Sequence, residues 1–405
     1  MQRPKLTGAW WGAPRSFNEV RVDRSVSWQE LFFDVVYVTA VASITHHLGA
    51  HLSLAGFLEF TGLFCLIFWG WLNGSIYHDL HGHDGLRTRL MTLWQMMIVA
   101  ALTVVLDLGS EEGYANLTYV FLFLQFYITY LWWSVGFYEP LHRRYSWPYT
   151  VLYLIAAGLM VVTLFTPTTW LYVLLPLILL CNYLPPFFTH RLLRRDGRGL
   201  DLTSSMFERL GLFTIIVFGE LVVGVTSGIS AAAEGKSSAD WVTFCLAIAL
   251  VFTLWWILFT LVARREPKPG LAMASLLELL YVPALLALGV IAAGFFTLFD
   301  GHHHAVPLQA VFSGAIAAFL LVINLMLGLL TFPAFINDLK GRMRVALGLT
   351  TLFFLVLALV DFHLAVPYYL ALVLLLLGGM ILYLNVNYFR RLGRVDGGEE
   401  GVELP

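Results

Sequence analysis

WQELFFDVVYVTAVASITHHL, residues 28–48, decides how this chain is read. The stretch is apolar almost throughout and long enough to cross a bilayer, which takes about 20 residues for ~30 Å of hydrocarbon. It nevertheless holds Glu30 and Asp34, four residues apart and therefore one turn apart on one helix face. A charge near the centre of a membrane costs at least ~2.5–3.5 kcal/mol. Such groups survive when they pair, face a wet cavity, or handle ions or protons.

The same pattern recurs along all 405 residues, of which 59% are hydrophobic and 12% charged. Soluble chains carry about 25% charged residues, so the reading is an all-α polytopic membrane protein. Twelve segments are long and apolar enough to span: 28–48, 54–77, 88–108, 116–138, 146–165, 168–188, 206–227, 239–263, 271–299, 305–334, 341–361 and 365–388. The net charge of −2 argues against a nucleic-acid partner. Cys65, Cys181 and Cys245 all fall inside apolar spans and lack metal-ligand spacing. The first 27 residues are polar and basic without a signal-peptide core, so the chain is expected to insert by its own helices.

Twelve spans place the termini and alternate loops on one side. Of the 24 Lys and Arg residues, all fall on that side or at that end of a span except Lys236. Positive charge marks the cytoplasmic side, so both termini are expected there. The long basic connection 189–205 (THRLLRRDGRGLDLTSS) divides two halves of six spans, 28–188 and 206–388, flanked by tails 1–27 and 389–405. Halves that enter from the same side imply a parallel repeat. In its support, Glu30 and Glu208 open spans 1 and 7, and FWGWL (68–72) parallels LWWIL (254–258).

ELFFDVVYVTAVASITHHL (30–48) and FERLGLFTIIVFGELVVG (207–224) resemble the bacterial low temperature requirement A (LtrA) family. The stretch NGSIYHDLHGHDGLRTRL (73–90) is similar as well. The resemblance covers nearly the whole chain and implies a multi-span inner-membrane protein. It implies no particular reaction.

The acids carry the functional expectation. Two carboxylates as close as Glu30 and Asp34 favour a shared proton or bound cation; the competing reading is a pair neutralised by Arg209 of span 7. Glu208 sits at the rim, whereas Glu220 lies ~21 Å into its helix and points ~120° away from Glu208. Gly211, Gly219 and Gly224 leave room for close helix approach. Glu278 and Glu59 are isolated acids within spans 9 and 2. Asn182 and Asn324 are read as ion- or substrate-binding residues or, more simply, as interhelical hydrogen-bonding groups. His78, His81 and His83 within YHDLHGHD (77–84) are candidate metal ligands, with a solvated juxtamembrane segment as the plainer reading. The run His302, His303 and His304 is a second, weaker candidate.

No Gly-rich phosphate loop, nucleophile spacing or dinucleotide fingerprint is present, and no cofactor is expected. The leading expectation is a transporter or ion-conducting bundle with Asp34 and Glu220 exchanging protons or binding a cation. An intramembrane lipid-modifying enzyme and a non-catalytic sensor or assembly protein are the alternatives. The expected partners are membrane lipids and an unidentified small ion or solute, with a homodimer left open.

Overall fold

The computed structural model describes residues 26–82, 85–106, 111–195, 204–231, 237–263, 265, 267–298, 307–332, 334–360 and 364–396. Among them the fold is helical. In chain order the helices are α1 (Trp28–Ala50), α2 (Leu54–His81), α3 (Leu86–Val104), α4 (Glu111–Tyr138), α5 (Arg143–Thr163), α6 (Leu171–Tyr183) and α7 (Pro185–Arg195). There follow α8 (Ser204–Ala231), α9 (Ser238–Leu258), α10 (Leu271–Leu298), α11 (Leu308–Leu329), α12 (Ala334–Leu359) and α13 (Val366–Asp396).

Eleven stretches among the described residues are helices long and apolar enough to cross a membrane, with α6 and α7 contributing to a single one, Thr168–Leu193. The protein is therefore an all-α multi-pass membrane protein. The third expected span is the exception. It forms α3, but Arg87, Arg89 and Gln95 hold its hydropathy down, and Arg87 and Gln95 are buried at 3% and 0% exposure.

Local sequence explains where several helices begin. Ser27 and Glu30 form a capping box at α1, the Glu30 carboxylate taking the Ser27 N–H at 2.9 Å while the Glu30 N–H reaches Ser27 Oγ at 3.3 Å. Ser237 and Asp240 do the same for α9. Pro148, Pro176 and Pro283 lie inside helices α5, α6 and α10. Pro185 opens α7, where its missing N–H is no loss.

Helix ends run past the apolar segments. α2 continues to His81, α7 to Arg195 and α13 to Asp396, because backbone hydrogen bonding does not stop where side chains turn polar.

The chain gathers into two compact units. The first comprises residues up to Ile44 with Leu58–Phe213 and Gly270–Ser275; the second comprises Thr45–Phe57, Thr214–Pro269 and Leu276 onward. In the first, α4 packs along α3 and α5, and α5 along α6 and α7. In the second, α11 packs along α12, α12 along α13, and α13 along α9.

Candidate functional site

The site lies in the first unit and starts at the capped end of α1. One Glu30 oxygen, Oε2, is held by Ser27; the other, Oε1, lies 3.8 Å from Arg209 Nη1. One turn deeper, Asp34 Oδ1 accepts hydrogen bonds from Arg209 Nη2 and from Trp71 Nε1, each at 2.7 Å. Asp34 is 0% and Arg209 2% exposed. The guanidinium rests 5.6 Å from the Phe33 ring and 5.7 Å from the Trp71 ring. Phe213 and Phe68 pack on Trp71 at 4.4 and 5.3 Å between centroids. An aromatic wall thus encloses a full ion pair, and the low polarity around it strengthens the attraction.

The pair is not fully matched. Asp34 Oδ2 and Arg209 Nε are both buried without a hydrogen-bond partner among the described residues. Taking two charges out of water is repaid only when geometry and remaining hydrogen bonds are good. This arrangement is bound firmly on one edge and open on the other.

Beside the pair runs a set of buried neutral polar groups. Gln95 Nε2 of α3 donates to Tyr37 Oη of α1 at 2.7 Å and to the Gly70 carbonyl of α2 at 3.0 Å. The α2 glycines leave room for this contact: a Cβ at Gly74 would stand 2.6 Å from the Gln95 amide and displace it, and one at Gly70 would stand 2.9 Å from Leu124 Cδ2 and 3.1 Å from the Tyr37 hydroxyl. Farther along, Asn73 Oδ1 accepts from Tyr153 Oη at 2.5 Å and from Trp132 Nε1 at 3.2 Å. Gln125 and Asn182 exchange amide hydrogen bonds at 3.0 and 3.2 Å. The groups together tie α1 through α6 by polar contacts.

The segment 25–382, most of the chain, matches the family model for bacterial low temperature requirement A protein (LtrA). The chain belongs to the LtrA family. No curated protein matches it.

The other acids of this LtrA-family chain are placed differently from Asp34. Glu208 is exposed on α8, although its neighbour Arg209 turns inward to α1. Glu220 is half-buried in the second unit and makes no hydrogen bond or ion pair among the described residues. Glu278, on α10, is 3% exposed. Glu59 accepts from Tyr114 Oη at 2.6 Å, joining the starts of α2 and α4. Asn324 and Arg344 link α11 to α12: Arg344 Nε donates to Asn324 Oδ1 at 3.1 Å, and Asn324 Nδ2 donates to the Arg344 carbonyl at 2.9 Å.

The histidines of the LtrA chain correct the reading of a solvated segment. His78, Asp79 and His81 belong to α2 and are buried at 7%, 4% and 1% exposure. His78 Nε2 meets Thr92 Oγ1 of α3 at 3.0 Å, and the His81 ring stands edge-on to Trp132 of α4. Both are engaged between helices. No three His, Cys, Asp or Glu side chains gather into a metal-binding group among the described residues; His83 and His302–His304 lie outside them.

Reasoning from charge alone missed Trp71, Gln95, Gln125 and Asn73 as site residues. Gln95 and Gln125 were open to the argument applied to the acids, since an amide inside an apolar helix also needs a partner. Arg87, one residue ahead of the third expected span, is a buried donor to Ser134 Oγ at 3.1 Å, its guanidinium 5.5 Å from the Tyr138 ring. Of the glycines singled out on α8, Gly224 makes a close approach, its Cβ position 2.7 Å from the Ala292 carbonyl. A Cβ at Gly219 would meet nothing within 4 Å.

Proposed function

We propose that this LtrA-family protein is a transporter or ion-conducting protein of the bacterial inner membrane, in which a proton moves Arg209 between Asp34 and Glu30. The observation that carries the reading is one guanidinium with two carboxylates in reach, 2.7 Å from Asp34 and 3.8 Å from Glu30. Arginine keeps its charge in proteins, whereas a carboxylate can take a proton. Protonating Asp34 removes the closer of the two charges that compensate buried Arg209, and breaking a buried pair costs about 3–5 kcal/mol. Glu30, one turn (~5.4 Å) nearer the helix start, offers the guanidinium a second seat. Proton binding is then tied to movement of a charge along α1, which is what coupling requires. The unmatched Asp34 Oδ2 is the lone-pair site at which a proton can arrive without first breaking the Arg209 bond.

In this reading Glu220 and Glu278 are further proton or cation residues, Glu208 assists at the rim, and Asn182 and Asn324 hold helices in register. With α3 crossing as a twelfth and more polar span, the termini face the cytoplasm, as the distribution of Lys and Arg supports, and the two six-span halves form a parallel repeat. The test is proton or cation flux into liposomes carrying wild type, Asp34→Asn or Glu220→Gln. Loss of flux in Asp34→Asn is expected; flux equal to wild type in that variant removes the proposal.

One observation favours a second reading, a static assembly or sensor protein. Arg209 and Trp71 both grip the same Asp34 oxygen, as a latch between helices would. A latch predicts that Asp34→Asn loses stability and that wild type itself carries no flux.

A further inference from the structure

At one end of the second unit, four cations collect where α9 and α11 finish and α12 begins. The last turn of the α9 segment, Phe259–Ala263, widens into a π-helix, a local feature that recurs at functional sites. The Leu261 carbonyl in that turn accepts from Arg265 Nε at 3.1 Å. Beyond it, Pro267 bridges to Leu330, and the Lys268 N–H donates to the Leu329 carbonyl at 2.8 Å, pinning this connection to the end of α11. Phe332 follows, and its ring has the Arg265 guanidinium 4.1 Å and the Lys340 ammonium 4.9 Å from its centroid. Lys340 Nζ also donates to the Leu330 carbonyl at 3.2 Å. Arg344, one turn along α12, is held by Asn324 at 3.1 Å.

These cations face one another. Lys340 lies within the repulsive field of Arg265, Lys268 and Arg344. None of the four has an ion pair among the described residues, while each of Arg265, Lys340 and Arg344 has a side-chain hydrogen bond that fixes its stem. The side chains of Glu266 and Asp338 lie outside the description. A bias of Lys and Arg toward one face of the membrane explains their number, but not the meeting of Arg265 and Lys340 on a single ring. Like charges held together by neutral partners form a site for an anion. A guanidinium with a nearby ammonium suits phosphate oxygens, and basic pockets between helix ends take anionic headgroups.

We propose that Arg265 and Lys340, which share the Phe332 ring, together with Lys268 and Arg344, whose charges reach Lys340, bind the phosphodiester headgroup of an anionic membrane lipid. The shared chemistry is a phosphate anion. The position at the polar ends of α9, α11 and α12 makes lipid the source. This site is independent of the Asp34–Arg209 proposal, and its test needs no flux.

The experiment uses the full chain purified in detergent with phosphatidylcholine. Phosphatidylglycerol, phosphatidylcholine and inorganic phosphate are each added in turn. Lipid retention is read by native mass spectrometry, and stability by the thermal midpoint. Phosphatidylglycerol is expected to be retained in preference to phosphatidylcholine and to raise the midpoint. Lys340→Gln and Arg265→Gln each weaken that retention about 5-fold, the worth of one surface cation, while Arg191→Gln does not. With phosphatidylcholine alone, Lys340→Gln leaves the midpoint unchanged or higher, because it removes a repelled charge. Equal retention of the two lipids, or retention unaffected by both cluster variants, overturns the proposal. So does a midpoint shift that inorganic phosphate reproduces in full, or a fall in midpoint for Lys340→Gln in phosphatidylcholine.

Discussion

Arg209 Nη2 and Asp34 Oδ1 stand 2.7 Å apart across 175 positions of sequence, both enclosed by aromatic rings in the first unit. An ion pair so placed carries asymmetric consequences. Removing one member strands the other in a medium that cannot solvate it, whereas removing both leaves an apolar contact. Arg209→Met and Asp34→Leu are each expected to lower stability by about 3–5 kcal/mol, and the double variant to lie closer to wild type than either single. Thermal unfolding of the four proteins in one detergent measures this.

Trp71 contributes through its N–H and its ring, and the two separate cleanly. Trp71→Phe keeps an aromatic face against Phe213 and Phe68 but deletes the 2.7 Å bond to Asp34. A hydrogen bond to a charged group contributes ~1.5–3 kcal/mol, and a loss in that range is expected by the same unfolding measurement. A loss near zero would mean that Arg209 alone holds the carboxylate.

Two glycines of α8, Gly224 and Gly219, make a paired comparison. Gly224→Ala drives a methyl group against the Ala292 carbonyl of α10, at 2.7 Å, and backbone cannot move aside cheaply. A loss of about 1–3 kcal/mol is expected, the usual range for overpacking. Gly219→Ala meets nothing within 4 Å and is expected to be neutral or mildly stabilising, since alanine is the better helix former.

Much of this was legible beforehand, and the parts that were not have physical causes. Spans are legible because hydrocarbon thickness sets a length that composition must match. Their ends are not, because a helix propagates beyond the apolar zone, as α2 does through His78 and His81. Asp34 stood out by the cost of its charge, and Arg209 was a foreseeable partner because it lies at the same end of its span. Trp71 and Gln95 were hidden because neutral polar groups announce themselves less loudly than charges. Spacing likewise told Gly219 and Gly224 apart only once α10 was seen beside Gly224.

Asn182 and Gln125 exchange two amide hydrogen bonds, so a change at either deprives its partner of them, although Gln125 Nε2 also donates to the Tyr153 carbonyl at 3.1 Å. Interhelical polar contacts in membranes are worth ~0.6–2 kcal/mol. Asn182→Leu and Gln125→Leu are each expected to lose that much or somewhat more, and the double variant less than their sum. A double-mutant cycle in unfolding free energy reads the coupling directly.

The sharpest test falls on Glu30, the second seat for Arg209. Glu30→Gln keeps the capping box, since glutamine serves as well at that position, and leaves the Asp34–Arg209 bond in place while removing the negative charge 3.8 Å from the guanidinium. Proton flux is measured in proteoliposomes under an imposed pH gradient, with wild type and Glu30→Gln at equal protein content and equal thermal midpoint. A two-seat exchange predicts that the variant loses about tenfold or more, the effect of about 1.4 kcal/mol or more on the exchange step. Flux unchanged by the substitution contradicts it.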